Sequence, residues 1–229
     1  MAVFLSALSS AHADGNDAFA LKIRGFTVGA VTLTSRADAN SYSVTGVIGN
    51  SGLTRLFRKF SYRGSASGAV DGARLLPARY SEVADTGRRS SEALITYRGG
   101  VPRLVRYTSP KPAGPDTPDP ATQAGTIDPL TAIYALLRNV PRAQACVLDV
   151  VIFDGKRRSR IAMSPVTGAG DIPECKGFYE RLQGFTPAEV SRHTRFDFVL
   201  SYSDAGGDML AIARVAFNSS YGVATIERR

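Results

Sequence analysis

The sequence predicts a mainly β fold: a single curled antiparallel sheet, or half-open barrel, with one inserted α-helix. Apolar and polar residues alternate in short runs along most of the chain, and turn signals separate these runs at roughly ten-residue intervals. The 229 residues include 22 glycines and no tryptophan, which is typical of a sheet protein with many turns. Because no change in composition marks a boundary, residues 14–229 are predicted to form one β-rich domain.

The strands follow one another as a meander with glycine at its turns. Two strands over residues 19–34 are predicted to meet at Gly25, and later turns fall at Asp71-Gly72, Arg98-Gly99-Gly100 and Asp154-Gly155. The other predicted strands span 42–48, 56–62, 66–70, 78–83, 92–97, 101–107, 146–153, 156–163, 177–183, 196–202, 210–217 and 221–227.

One helix interrupts the meander after a proline-rich loop. Residues 109–126 hold five of the twelve prolines, which cannot donate to a strand ladder. Asp128 then suits a helix N-cap and Pro129 the first helical position, and Pro141 ends the pattern. Apolar side chains at helical spacing line one face of this segment: Leu130, Ile133, Tyr134 and Leu137.

The amino terminus indicates export. Residues 2–10 are apolar, and Ala11-His12-Ala13 places small residues where signal peptidase requires them, so cleavage is expected before Asp14. Residues 1–13 are therefore interpreted as the remnant of a signal peptide that starts upstream; the alternative is an apolar strand or helix of the mature fold. No other apolar run approaches the ~18 residues of a membrane span, and no cysteine lies near the cleavage site to carry a lipid anchor. We expect a periplasmic protein of a Gram-negative bacterium, without a transmembrane segment.

Charge and compartment together restrict the partners. The formal net charge is +8 and the isoelectric point is about 9.8, which favours an anionic partner. Export argues against nucleic acid. The expected partners are an anionic lipid, lipopolysaccharide or another envelope protein.

Two cysteines, Cys146 and Cys175, predict a disulfide. In an oxidising compartment a lone pair most simply forms a structural bridge, which here would close over 28 intervening residues. A redox-active pair is the alternative, but such pairs favour the close C-x-x-C spacing.

Several local motifs occur in an order that resembles a known family. They are the hairpin with Gly25 and Gly29, the segment Leu76-Pro77-Ala78-Arg79-Tyr80, the tripeptide Asp128-Pro129-Leu130, and a Phe153-Asp154-Gly155-Lys156 turn between the two cysteines. This order resembles DUF3108, a family of exported proteobacterial proteins of unknown function, over nearly the whole mature chain. The resemblance implies a periplasmic, strand-rich fold and supplies no established catalytic residues.

The residues themselves predict neither catalysis nor a metal or other cofactor. After cleavage His193 is the single histidine, no G-x-S-x-G motif is present, and no metal-ligand spacing exists. The pairs Asp116/Asp119 and Asp204/Asp208 are typical of turns, where aspartate bonds to nearby backbone amides. We expect a protein that is not an enzyme.

Basic residues are the remaining functional signal. One group comprises Arg55, Arg58, Lys59 and Arg63, and a second follows the Asp154-Gly155 turn. Because alternate strand residues share a face, Lys156, Arg158 and Arg160 are predicted to project together and bind an anionic ligand. The alternative is a solvated outer face of the sheet.

The resulting hypothesis is a non-catalytic periplasmic protein that supports cell-envelope integrity by binding an anionic lipid, polymer or envelope protein. The alternative is a periplasmic carrier that holds a lipid or other hydrophobic ligand in an apolar concavity. An apolar cavity on the concave side of the sheet would favour the carrier. A filled core with a basic convex face would favour the first hypothesis.

Overall fold

The computed structural model describes residues 13–50, 60–87, 90–108, 114, 116–167, 170–219 and 221–229. Its helices are α1 (Pro129–Leu137) and the short α2 (Pro187–Arg192), and in the described part of the chain no helix has the length and apolarity to span a membrane. The strands are β1 (Ala13–Ile23), β2 (Phe26–Ala37), β3 (Ser41–Asn50), β4 (Ser61–Asp71), β5 (Arg74–Asp85), β6 (Ser90–Arg98), β7 (Val101–Thr108), β8 (Val140–Pro141), β9 (Leu148–Phe153), β10 (Arg158–Pro165), β11 (Glu174–Gln183), β12 (Arg195–Asp204), β13 (Met209–Ser219) and β14 (Gly222–Arg228).

These strands form one antiparallel sheet in the order β7-β6-β5-β4-β3-β2-β1-β14-β13-β12-β11-β10-β9, with β8 added beside β13. The sheet consists of two consecutive meanders, joined where β1 pairs with β14 and Leu21 lies opposite Ile226. The mainly β fold with a single unclosed antiparallel sheet is therefore confirmed.

The hairpin turns form where glycine permits a left-handed backbone. At the β1–β2 turn Arg24 has φ 49° and Gly25 has φ 83°, the positive pair that a tight two-residue hairpin turn requires. The β6–β7 turn repeats this geometry at Gly99 and Gly100, with φ 57° and 75°. Both turns lie where the sequence predicts them.

Helix α1 lies inside the curl and begins at Pro129, where the sequence predicts its start. Asp128 is its N-cap, and the helix contacts β3, β4, β5 and β9. Leu130 is fully buried above Gly46, where an added Cβ would lie 2.6 Å from the Leu130 Cδ1 atom. The core of the first meander is thus filled by the helix and leaves no room for a side chain at Gly46.

A segment before α1 bridges the gap between the β6–β7 turn and the edge strand β9. The Gly125 amide donates to the Gly100 carbonyl at 3.0 Å, and Ile127 exchanges two backbone hydrogen bonds with β9, to the Val151 carbonyl and from the Phe153 amide, both at 2.9 Å. This segment therefore bridges the open side of the curl. The loop prediction for 109–126 agrees with the described part, which contains a 3₁₀ turn at Pro120–Thr122.

Some predicted boundaries were wrong, for local reasons. Strand β10 begins at Arg158 because the Asp154 side chain accepts hydrogen bonds from the Lys156 and Arg157 amides and extends the turn. Strand β9 begins after Cys146, whose φ of 60° is incompatible with a strand. The predicted strands over 56–62 and 66–70 are one strand, β4, in the described residues.

Other predictions fall outside the described residues. Residues 1–12 of the signal-peptide interpretation are among these, as are Arg55, Arg58 and Lys59 of the first basic group. Helix α2 was not predicted, although Thr186 and Glu189 form a capping box whose spacing is visible in the sequence.

Candidate functional site

The predicted disulfide is present. Cys146 and Cys175 are bonded, with an S–S distance of 2.09 Å, and both residues are buried. The bridge fastens the segment that follows α1 to strand β11. It therefore holds the inserted helix against the second meander.

The predicted basic group is divided between a turn and a strand. Lys156 lies in the turn whose amides bond to Asp154, whereas Arg158 and Arg160 lie two residues apart on β10. Buried Ser159 stands between them on the opposite face. The three side chains therefore do not form one row along a strand, and anionic-ligand binding by them stays a prediction.

Arg160 already has a carboxylate partner. Its Nε and Nη2 atoms donate to the two carboxylate oxygens of Asp149 at 2.7 and 2.6 Å, and these hydrogen bonds hold the pKa of Asp149 below its usual range. The same guanidinium lies 5.6 Å from the ring centroid of Phe178. Such pairing is typical of a solvated outer sheet face, where exposed ion pairs contribute little.

One member of each acidic pair makes the turn contact expected of it. Asp204 accepts from the Gly206 amide at 2.7 Å and pairs with Arg142, and Asp119 accepts from the Ala121 amide at 2.9 Å. His193 is exposed at the end of α2, beside Phe196. In the described parts of the chain no three His, Cys, Asp or Glu side chains are grouped to hold a metal ion.

An apolar groove lies on the concave face of the second meander. Strand register puts Ile161, Tyr179 and Phe196 side by side on this face, because directly paired residues project to the same side of a sheet. The groove has a volume of about 360 Å³. We call it the concave groove, and its lining residues are Leu136, Ile161, Tyr179, Arg181, Phe196, Phe198, Val215, Phe217 and Ile226.

The groove exposes apolar surface that the fold leaves uncovered. Phe198 and Val215, only 7% and 3% exposed, form its floor, and the other lining side chains are half-buried. Leu136 from α1 contributes one wall. A contiguous exposed apolar surface in a concave site is typical of a ligand-binding groove.

A pair of arginines lies at one end of this groove. Arg181 donates through Nη1 to the backbone carbonyls of Glu189 and His193, at 2.6 and 2.9 Å. Its guanidinium lies 4.9 Å from the Phe196 centroid and 5.3 Å from that of Phe185. Arg157 lies 5.0 Å from the same Phe185 ring, so the two guanidinium groups share one aromatic neighbour.

This arginine pair, Arg157 and Arg181, retains positive charge and donors. Arg157 donates to the Glu189 carboxylate at 2.7 Å, and that carboxylate is the one acid paired with either arginine among the described residues. Although burial opposes it, hydrogen bonds from Thr186 and the positive charges of the two arginines keep the pKa of Glu189 below its usual range. The Nε atoms of both arginines are buried without a hydrogen-bond partner. Arg157, Arg181 and Lys156 stand against the carboxylates of Glu189 and Asp154, so the basic groups outnumber the acidic ones at this end of the groove.

The interior of the first meander is polar but filled. The Tyr42 hydroxyl lies 2.8 Å from Thr131 Oγ1, which donates to Asp128 at 2.6 Å. Burial raises the pKa of Asp128 to about 6. Nearby, Tyr80 donates to Glu82 at 2.5 Å, and burial raises the pKa of that carboxyl group too. The sequence identified Asp128 only as a helix cap; inward-facing tyrosines on successive strands were the signal of a buried network.

Three comparisons place the chain among known proteins. The profile of a family described as "Protein of unknown function (DUF3108)" matches residues 18–180. No curated protein matches. The fold is similar to the crystal structure of a β-barrel-like protein of domain of unknown function DUF1849 from Brucella abortus, with a TM-score of 0.50, 11% sequence identity and 96% of each chain covered. At this identity the likeness concerns the fold alone.

Proposed function

This chain belongs to the DUF3108 family, and we propose that it is a non-catalytic binding protein of the cell envelope. Its ligand is an amphiphile with an apolar chain and an anionic head group. The chain lies in the concave groove, and the head group meets the arginine pair. The observation that supports this proposal most is the adjacency of an apolar groove and two guanidinium groups that both contact Glu189, Arg157 through its carboxylate and Arg181 through its backbone carbonyl.

The size and chemistry of the groove suit such a ligand. Its volume of about 360 Å³ lies near the lower end of the ~300–1,000 Å³ typical of small-molecule sites. Each methylene group that it buries contributes about 0.8 kcal/mol. An oxyanion next to Arg157 and Arg181 would gain charge-assisted hydrogen bonds, which are stronger than neutral ones.

The carrier hypothesis is thus better supported than binding by the convex basic face. On that face Arg160 is paired with Asp149, and Arg195 is paired with Asp197. On the concave face most side chains that line the groove are only half-buried, so apolar surface is available to a ligand. The disulfide supports a periplasmic location, because such bridges persist in oxidising compartments. Aspartates committed to turns and caps support a non-catalytic role.

Filling the groove should abolish chain binding. Ile161→Trp places a bulky ring among half-buried apolar side chains, so we expect at least tenfold weaker binding of dansyl-labelled undecanoic acid, measured by fluorescence titration. In the parent, competing fatty acids should bind about fourfold more tightly per added methylene until the groove is full.

Val199→Trp is the matched control for this experiment. Val199 lies on β12, in the same meander as Ile161, but its side chain is on the opposite, exposed face of the sheet. It should bind the probe like the parent. Equal binding by Ile161→Trp and the parent would refute the groove as the site. Native mass spectrometry of protein from the osmotic-shock fraction would identify the bound amphiphile and test the periplasmic location together.

Replacing one arginine should change selectivity for the head group. Arg181→Gln removes a charge at the groove end, so affinity for dodecanoate should fall about tenfold while affinity for dodecanol stays the same. The ratio of the two affinities, measured by displacement of the dansyl probe, is insensitive to a general loss of folded protein. Arg195→Gln, which removes an arginine from the convex face, should leave the ratio unchanged. If Arg181→Gln lost affinity for dodecanoate and dodecanol by the same factor, Arg181 would only support the groove wall and would not recognise the head group.

A further inference from the structure

Two exposed aromatic side chains stand at one edge of the sheet. Edge here means the row of hairpin connections at one end of the strands, and not an edge strand. Among the large apolar side chains of the described residues, Phe26 and Tyr221 are the most exposed, at 77% and 69%. They belong to adjacent hairpins, because the Arg24 amide donates to the Val223 carbonyl at 2.9 Å. Val223, which accepts this hydrogen bond, is itself 50% exposed. Among the described residues this apolar surface is not part of the buried core.

The edge that carries these residues is also basic. In an antiparallel meander successive hairpins alternate between two edges, and the connections after β1, β9, β11 and β13 share one edge. Their described residues include Arg24, Lys156, Arg157 and Arg192, against the acids Asp154 and Glu189. We call this edge, with Phe26 and Tyr221, the aromatic edge.

The opposite edge is more nearly neutral. The described residues of its hairpin connections, which follow β2, β4, β6, β10 and β12, include Asp38, Asp171 and Asp208, and the side chains of Arg138 and Arg142 donate to the Ala73 and Asp171 carbonyls of the same connections. The excess of basic residues among the described connections is therefore found at the aromatic edge. A partner attracted to the aromatic edge is negatively charged and accepts aromatic side chains.

We propose that the aromatic edge docks onto the surface of an anionic lipid leaflet. Phe26 and Tyr221 enter the interface between head groups and acyl chains, where aromatic side chains are enriched, and the basic residues face the lipid phosphates. A second copy of this chain fits less well, because a symmetric contact would bring the same basic residues together. The arginine pair of the concave groove lies at this same edge, so docking would bring the groove next to the lipid.

Vesicle flotation tests this proposal with the full chain. The parent should bind vesicles of equal parts phosphatidylglycerol and phosphatidylcholine, and bind phosphatidylcholine vesicles weakly. Salt should weaken the first interaction, since the Debye length is only about 8 Å at physiological ionic strength. The Phe26→Ser, Tyr221→Ser double variant should lose about tenfold in partition coefficient, because interfacial binding scales with the apolar area inserted.

Val147→Ser is the matched control: Val147 is 68% exposed, but it precedes β9 at the opposite edge. It should bind like the parent, and the melting temperature of the double variant should change little because its side chains are exposed. Unchanged binding by the double variant would overturn the proposal. The proposal would also be overturned if an Arg158→Gln, Arg160→Gln variant lost vesicle binding while the Phe26→Ser, Tyr221→Ser variant kept it. That result would assign vesicle binding to the convex face.

Two further measurements distinguish membrane docking from ligand binding in the groove and from self-association. Ile161→Trp should still bind vesicles, so failure of the groove to hold a ligand and failure of the edge to dock are distinguishable. Sedimentation velocity without vesicles should find one species at all concentrations. A concentration-dependent dimer that the double variant abolishes would instead assign the aromatic edge to self-association.

Discussion

Replacing Cys146 and Cys175 together with serine is expected to lower the free energy of unfolding by about 3–4 kcal/mol. The bridge closes a loop over 28 residues, and the unfolded chain regains that conformational freedom when the bridge is absent. The folded chain also loses the covalent restraint on Cys146, whose φ of 60° is unfavourable for a residue with a Cβ. Urea unfolding of the parent and the double variant at one pH would measure the difference.

Reduction provides the control. A reductant should destabilise the parent by a similar amount and leave the unfolding midpoint of the double variant where it was. Equal midpoints for the oxidised parent and the double variant would contradict the prediction. Because helix α1 and the groove wall at Leu136 precede Cys146, the variant should also bind the dansyl probe less tightly.

Asp128→Ala is expected to destabilise the protein by about 3 kcal/mol, as the sum of a lost helix cap and of buried polar groups left without a partner. Asp128 accepts from the Thr131 amide at 2.8 Å and from its hydroxyl at 2.6 Å, and that hydroxyl contacts Tyr42. Asp128→Asn keeps an acceptor for the amide and should cost less. Chemical unfolding of the two variants at pH 5 would measure both effects, and equal stability of the alanine variant and the parent would contradict them.

The same carboxyl group should give stability a distinctive pH dependence. Burial raises its pKa from 3.8 to about 6, so in this interval the folded state binds a proton that the unfolded state has released. The contribution of Asp128 is therefore greatest at low pH and falls as the pH rises through this interval, by roughly 3 kcal/mol in total.

Asp128→Asn isolates this contribution, because it removes the titrating group and leaves its surroundings. Burial also raises the pKa of Glu82 and Asp154, which act in the same direction in both proteins. The difference in unfolding free energy between parent and variant should thus shift in favour of the variant from pH 4 to pH 7, with most of the change between the unfolded pKa of 3.8 and the folded pKa of about 6. A difference that does not vary with pH would show that Asp128 does not titrate there.

Local signals explain which parts of this structure could be predicted from the sequence. Alternating residues and glycine turns specify strands within a few residues, and Asp128-Pro129 specifies where α1 begins, because each depends on the backbone of its own segment. The disulfide was predictable because only Cys146 and Cys175 are available to pair. The main fold class follows from these features.

The groove and the aromatic edge depend instead on which strands become neighbours. Arg157 comes from the turn after β9, far along the chain from Arg181 and Phe185, and nothing in the sequence indicates that the three meet. Lys156 was assigned to a strand because alternation continued through it, whereas hydrogen bonds to Asp154 keep it in the turn. Curvature of the sheet, which separates a concave from a convex face, has no sequence signature of its own.

The pairing of β1 with β14 has a consequence for the order of assembly. Each meander contains only neighbouring strands and can form as its own residues become available, but Ile23 and Ala224 meet only when a loop of about 200 residues closes, at an entropic cost of roughly 5 kcal/mol. High contact order of this kind slows folding. Until β14 is present, β1 has a free backbone edge in what becomes the middle of the sheet, so a chain halted before Gly222 presents a template for wrong strand addition. A chaperone that shields one long edge strand would therefore serve this protein more than one that shields its core.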